Sequence, residues 1–387
     1  MPYFLIKRIF YPIKNAYFST AIFALGTFFY FAFSPFSDVL NSFFHIGFFV
    51  CAFLNFALLL TFNRSKTFFE SAMVFCSYLL FINIKKIHGL AYWMTPEYCY
   101  LSAFIPLNLC YFMFWENNQK LLSKKTIYIF LALLVEYSTF ENLSIHNMNL
   151  LSFPSFFGLN NFSVGIFALV LIICFFKMNK FGGEAYKAYF FEILSLFFAF
   201  LLSFQTSAVC LFFFLTALIT FVDSACSIYK EIFYDGDTNV FNKRSFFVRS
   251  KQVFPIRYCV SVTRIDDCDT IIKDYGYKSF YKVLKMSVAQ LCEAEGNSGV
   301  YRISPNLFLL LFFDKTKNEG FEIMENIRRK IATSEFITYH PKKNIKITIT
   351  SAVTEGRRSD AANKAAIISR AYDKIKSSLS QNVTLKA

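Results

Sequence analysis

Two chemistries have no foothold in this sequence. Its ten cysteines form no C-x-x-C pair and no Cys/His spacing, so neither a zinc site nor a disulfide framework is indicated. Seven fall at or before Cys226, mostly inside apolar runs, and Cys259, Cys268 and Cys292 stand apart; in such surroundings cysteine behaves as a small apolar residue. Lys and Arg of the charged part are scattered between acidic residues across helices, strands and loops, which argues against a nucleic-acid partner. Charge is scarce altogether, at 17%. It is also uneven: 27 Lys/Arg and 17 Asp/Glu stand from Lys230 onward, against 13 and 9 before it.

What is plentiful is apolar surface. In 387 residues there are 54 Phe and 22 Tyr, and hydrophobic residues make up 55%, more than an ordinary soluble protein carries. A membrane domain over 1–229 and a soluble domain over 230–387 are expected. The second is net basic by ten charges and the first by four. A basic domain tethered to a bilayer is drawn to anionic lipid by about 1 kcal/mol per residue at the surface, which makes inner-membrane lipid an expected partner; the plainer alternative is a solvated basic face.

A helix crossing hydrocarbon needs about 20 largely apolar residues. Eight stretches qualify: Ala16 to Phe36, Val39 to Phe62, Phe68 to Ile84, Tyr98 to Trp115, Thr126 to Phe140, Phe162 to Met178, Ala188 to Phe204 and Ser207 to Tyr229. The fifth is short and holds Glu136, so six to eight spans are compatible with the sequence. With the N-terminus inside, eleven Lys/Arg fall in inner segments and only Lys85 and Lys86 outside, as the positive-inside rule requires. Both termini are then cytoplasmic. The first span lacks a small-residue cleavage site and reads as an uncleaved helix. The outer loop Glu141 to Asn161, with Pro154 and Gly158, is the expected sensory surface.

Carboxylates within spans are costly and therefore candidate functional groups. Glu70 and Asp223 lie near expected helix ends and should reach the headgroups, which leaves Glu136 and Glu192 as the pair of interest. Only Pro106 interrupts a span, whereas transporters tend to show paired broken helices.

Beyond Tyr234 the periodicity changes. A helix is expected near Lys243, a strand over Ile256 to Ile265, and a helix from Phe280 to Ala294. Strands Gly299 to Ser304 and Leu307 to Phe313 follow, across a tight turn at Pro305-Asn306. A helix over Glu319 to Ser334, a strand over Ile345 to Val353 and a helix over Asp360 to Leu379 complete an α+β domain.

Within this frame, Asp235, Thr238, Asn242, Arg244 and Phe246 form a stretch that resembles the opening motif of GGDEF domains, D-x-L-T-G-L-x-N-R-R-x-F. Ile265-Asp266 with Asp274-Tyr275-Gly276-Tyr277 resembles the D-I-D-x-F-K-x-x-N-D-x-x-G-H stretch; Arg302, Glu325 to Arg328 and Thr348 to Val353 fit later landmarks in order. The resemblance implies a multi-pass α-helical membrane region followed by a GGDEF-like, nucleotidyl-cyclase palm-like cytosolic domain, in a bacterial inner (cytoplasmic) membrane. Active members of that family join two GTP molecules into cyclic di-GMP with divalent metals held by acidic residues.

Here the resemblance implies a degenerate site. Arg264 replaces the first metal-binding aspartate. Ser304-Pro305-Asn306-Leu307-Phe308 stands where the family has Gly-Gly-Asp-Glu-Phe, so Asn306 and Leu307 replace the acidic pair and Ser304 and Pro305 the glycines. Lys273 and Tyr281 fall at the guanine-reading positions, and Glu295 to Ser298 stands where the family's R-x-x-D product site would be. No catalytic, nucleotide-binding or metal residue is therefore expected, and no cofactor beyond Mg in the event of residual cyclase activity. The expected role is catalytically silent signalling through protein contacts, as a homodimer or with another GGDEF or signalling protein. The alternatives are a diguanylate cyclase with unconventional ligands and a nucleotide receptor without turnover. Asp266, Asp267, Asp269 and Asp274 are read as a solvated acidic turn.

Overall fold

The computed structural model describes residues 15–89, 92, 95–114, 128, 131–132, 135, 155–156, 159–181, 184–252, 254–294, 297–337, 344–357, 364–378 and 381–387. The chain divides into two compact units, Met1–Ile228 and Tyr229–Ala387.

The first unit is helical. Helices α1 (Asn15–Phe33), α2 (Asp38–Thr61), α3 (Ser65–His88) and α4 (Pro96–Phe114) are followed by a two-stranded hairpin of β1 (Ser155–Phe156) and β2 (Leu159–Asn160) and by α5 (Asn161–Phe181), α6 (Glu184–Leu201) and α7 (Thr206–Phe233). Among the described residues four helices are long and apolar enough to cross a membrane: α2, α3, the Asn161–Asn179 part of α5, and α7. The outward side of α2 carries Val39, Phe43, Ile46, Val50 and Phe53, and an apolar exterior on an apolar helix suits lipid. Helix starts are fixed locally: Ser37 accepts from the Leu40 N–H and Asn160 Oδ1 from the Ser163 N–H at 2.7 Å, as N-caps do. Inside, rings replace aliphatic packing, with Tyr78 4.2 Å from Phe48 and 4.8 Å from Phe213 between centroids. Seven of the eight expected spans coincide with helices. The other, Thr126 to Phe140 with Glu136, lies outside the described residues save for isolated positions, as do Pro154 and Gly158.

The second unit is a six-stranded mixed sheet in the order β10-β9-β4-β6-β5-β3. Its strands are β3 (Phe241–Asn242), β4 (Arg257–Ile265), β5 (Asn297–Ser304), β6 (Leu307–Phe313), β9 (Ile349–Arg357) and β10 (Thr384–Lys386), with β7 (Phe336–Ile337) paired to β8 (Asn344–Ile345) as a separate ribbon. Helices α8 (Lys243–Ser250), α9 (Cys268–Cys292), α10 (Lys317–Thr333) and α11 (Lys364–Ser377) complete it. Period-2 alternation divides the central strands between two cores. Cys259, Phe308, Leu310 and Phe312 meet α9 and α10 through Val283, Leu284, Met324 and Ile327. On the opposite face Val260, Leu309 and Leu311 meet Ile367 of α11.

Several boundaries differ from expectation for identifiable reasons. Helix α9 starts at Cys268 and not Phe280, because its first turns run up to a break at Gly276, whose φ of 75° suits glycine. The strand expected from Ile345 starts at Ile349, since Asn344–Ile345 pair with Phe336–Ile337. Strands β3 and β10 are too short to leave a periodic signal.

Candidate functional site

The opening motif folds into a tie between the end of α7 and the sheet. Asn242 caps α8, accepting from the Ser245 N–H at 3.0 Å, while its amide donates to the Ile232 carbonyl at 2.8 Å. Ser245 Oγ donates to the Phe233 carbonyl. The last carbonyls of a helix have no partner within it, and two motif residues supply them here. Phe246 packs edge-on against Tyr301 at 5.3 Å; Arg244 is exposed.

Asp235 closes the turn before β3. Its carboxylate accepts from the Thr238 N–H at 3.0 Å and Thr238 Oγ1 at 2.7 Å, and from Arg302 at 2.7 Å. Burial alone would raise this carboxyl, but the bonds from Thr238 and Arg302 outweigh it and hold it below its ordinary value. Arg302 also reaches Asp237 at 2.8 Å and the Pro305 carbonyl at 3.0 Å. One guanidinium thus joins the opening turn to the β5–β6 hairpin.

That hairpin turns on Pro305 and Asn306 alone, with Ser304 paired to Leu307. The Ile265 N–H donates to the Asn306 carbonyl at 2.9 Å, and Arg264 is opposite Leu307 on β6 and Thr350 on β9. Arg264, Ser304, Pro305, Asn306 and Leu307 are thereby brought to one end of the sheet. Leu307 is buried with Val262, Ala352, Ala371 and Ile375. Lys273 and Tyr281 both lie on α9 and are exposed.

Asp266 departs from expectation. It is not part of a solvated turn: its side chain is inaccessible and lies 3.3 Å from Arg264 Nε. It accepts from Thr348 Oγ1 and Thr350 Oγ1, each at 2.9 Å, and from the Asn382 N–H at 3.2 Å. Threonines two apart, Thr348 just before β9 and Thr350 within it, aim both hydroxyls at one carboxylate. The T-x-T spacing was visible in the sequence, but its target 82 residues earlier was not. Arg328 continues the network, donating to Glu325 at 2.6 Å and to Asn382 Oδ1 at 2.7 Å. Thr384 Oγ1 also donates to Glu325, at 2.9 Å. Among the described residues no group of three or more His, Cys, Asp and Glu is placed to hold a metal ion.

In the first unit, Glu192 on α6 is buried, and Glu70 is buried as well. It accepts from the Tyr189 hydroxyl and does not reach a surface. The reason is that α3 begins at Ser65, which places Glu70 in its second turn. Lys66 lies over the Tyr189 ring at 5.3 Å.

No protein-family model matches the chain, and no curated protein does. Solved structures similar to it include the coiled coil and GGDEF domain of DgcB from Caulobacter crescentus in complex with c-di-GMP, at 17% identity and a TM-score of 0.38, covering 42% of this chain and 88% of that one. The FimX GGDEF domain from Pseudomonas aeruginosa is 15% identical with a TM-score of 0.33, covering 40% of this chain and 98% of that one. Diguanylate cyclase SiaD in complex with its activator SiaC, from Pseudomonas aeruginosa, is 18% identical with a TM-score of 0.34, covering 43% and 65%. At these identities and TM-scores the likeness extends to no residue's chemistry. In element order, strand order and the placement of its motifs, the unit Tyr229–Ala387 has a GGDEF-like fold.

Proposed function

We propose that this chain is a multi-pass protein of a bacterial inner membrane, with both termini cytoplasmic, whose GGDEF-like domain transmits a signal through protein contacts and turns over no GTP. One observation carries the reading: the end of the sheet where the fold family gathers metal-binding carboxylates is filled by Arg264, Asn306 and a buried Leu307. The residues present do not fit a divalent cation. A guanidinium repels it, leucine offers no oxygen, and Asp266 already accepts from Thr348, Thr350 and the Asn382 N–H. Pro305 adds bulk and removes an N–H where nucleotide would approach backbone.

The route for a signal is supported by the opening motif. A change in α7 reaches Asn242 and Ser245 through its last carbonyls, then Asp235, Arg302 and the hairpin. The partner is a second copy of this domain or another GGDEF or signalling protein.

The test is purified full-length protein in nanodiscs with GTP and Mg²⁺, assayed for cyclic di-GMP and titrated calorimetrically with both nucleotides. No product above an Asn306→Ala control and no binding heat is the expected result. Turnover would establish a cyclase with unconventional ligands, and binding without turnover a nucleotide receptor.

A further inference from the structure

Helix α9 resumes after the break at Gly276 and buries one side, Phe280, Val283, Leu284, Val288 and Leu291, in the core. The other side remains outside every core of this unit. It carries Tyr277, 64% exposed, Tyr281 and Met286, each 38% exposed, together with Lys278, Lys282 and Lys285. Tyr277 and Tyr281 are four residues apart and therefore neighbours on the helix; their ring centroids are 6.5 Å apart. Between Gly276 and Cys292 there are three lysines and no Asp or Glu.

We infer that this face of α9 docks on an anionic lipid surface. Three observations select lipid over other occupants. The charge is single-signed along four turns, which complements a negatively charged leaflet at about 1 kcal/mol per basic residue near the surface. Tyrosine and lysine are the residue types that place a ring at headgroup depth while the charged tip stays wet. The chain also brings its own bilayer: α7, long and apolar enough to cross one, ends at Phe233, while the domain begins at Tyr229. Docking of this kind would hold the domain in one orientation, and the strength of the hold would follow leaflet charge and ionic strength. None of this depends on whether the domain binds nucleotide.

The full-length protein in nanodiscs, one set of phosphatidylcholine alone and one containing phosphatidylglycerol, would be labelled with a water-soluble amine reagent and read by mass spectrometry. Lys374 and Lys376, exposed on α11 at the opposite face of the sheet, serve as internal references. Several-fold slower labelling of Lys278, Lys282 and Lys285 relative to those references in anionic discs is expected, with the difference erased by high salt. A Tyr277→Ser, Tyr281→Ser variant should lose part of the protection in the same discs. Equal labelling in both lipids, or a slowing shared by Lys374 and Lys376, would overturn the inference. So would protection that follows protein concentration and not lipid charge, since the occupant would then be a second copy.

Discussion

Arg302 donates to Asp235 across 2.7 Å, and the same guanidinium accounts for Asp237 and the Pro305 carbonyl. Two segments more than 60 residues apart are thus held by one largely buried side chain. Replacing Arg302 with Met keeps the apolar stem and removes the donors. Hydrogen bonds to charged groups contribute about 1.5–3 kcal/mol each, reduced where a partner is exposed, as Asp237 is. Arg302→Met should destabilise the domain by about 2–4 kcal/mol on that basis. Hydrogen exchange of 235–238 and of 304–306 should accelerate together; acceleration of one segment without the other would show that Arg302 does not couple them.

Asn242 supports a second expectation. Its side chain both caps α8 and supplies the Ile232 carbonyl. Asn242→Ala should cost about 1–2 kcal/mol, the upper range for a lost N-cap, whereas Asn242→Asp keeps the cap and loses the donor to Ile232. Faster exchange at the α7 terminus in both variants, but at the α8 start only in the alanine one, is the predicted pattern. Unchanged exchange at the α7 terminus in the aspartate variant would remove the link to α7.

The parts of this fold that were legible in the sequence are those where period and punctuation agree. Leu307 to Phe313 alternates between two cores and follows a two-residue turn, and the observed strand has those limits. Strands β3 and β10 escaped because two or three residues carry no period, although β10 lies against β9 at Thr384 to Lys386. Asp266 looked solvated because it opens a run rich in aspartate. Its burial depends on Thr348, Thr350 and Asn382, all more than 80 residues away, and a single sequence does not report such pairings. Glu70 lies deeper than its sequence position suggests because α3 begins at Ser65, one helical turn being enough to move a carboxylate from a helix end into the bundle.

The Glu325 cluster should show in the pH dependence of stability. Hydrogen bonding from Arg328 first, aided by Thr384 and Arg329 against a smaller effect of burial, brings Glu325 down to about 2. The unfolded chain has the ordinary glutamate value of about 4.3. A carboxylate with a lowered folded value stabilises fully above its unfolded value, and the contribution is lost as pH falls toward the folded one. Glu325→Gln should therefore be less stable than the parent at neutral pH, and the gap should narrow as pH is lowered between those two values. Denaturant midpoints for the domain at both conditions would measure it, and a gap independent of pH would contradict the assignment.

Leu307 offers the sharpest contrast between a signalling domain and a cyclase. On the proposed reading Leu307 stands where an active cyclase would hold a carboxylate, and its isobutyl group packs among Val262, Ala352, Ala371 and Ile375. Leu307→Ala should cost about 2–5 kcal/mol as a buried truncation, while Leu307→Met, nearly volume-conserving, should cost less than about 1.5 kcal/mol. Leu307→Glu meets an apolar cluster with Arg264 on the neighbouring strand as the nearby cation. Burying that carboxylate should destabilise the domain at least as much as alanine does, and the deficit should shrink at low pH, where the group is neutral. Thermal unfolding of the three variants decides between the readings. Should Leu307→Glu be as stable as the parent and gain heat on Mg²⁺ addition, the site would be one change away from metal binding, and silence would have to be explained by Arg264, Pro305 and Asn306.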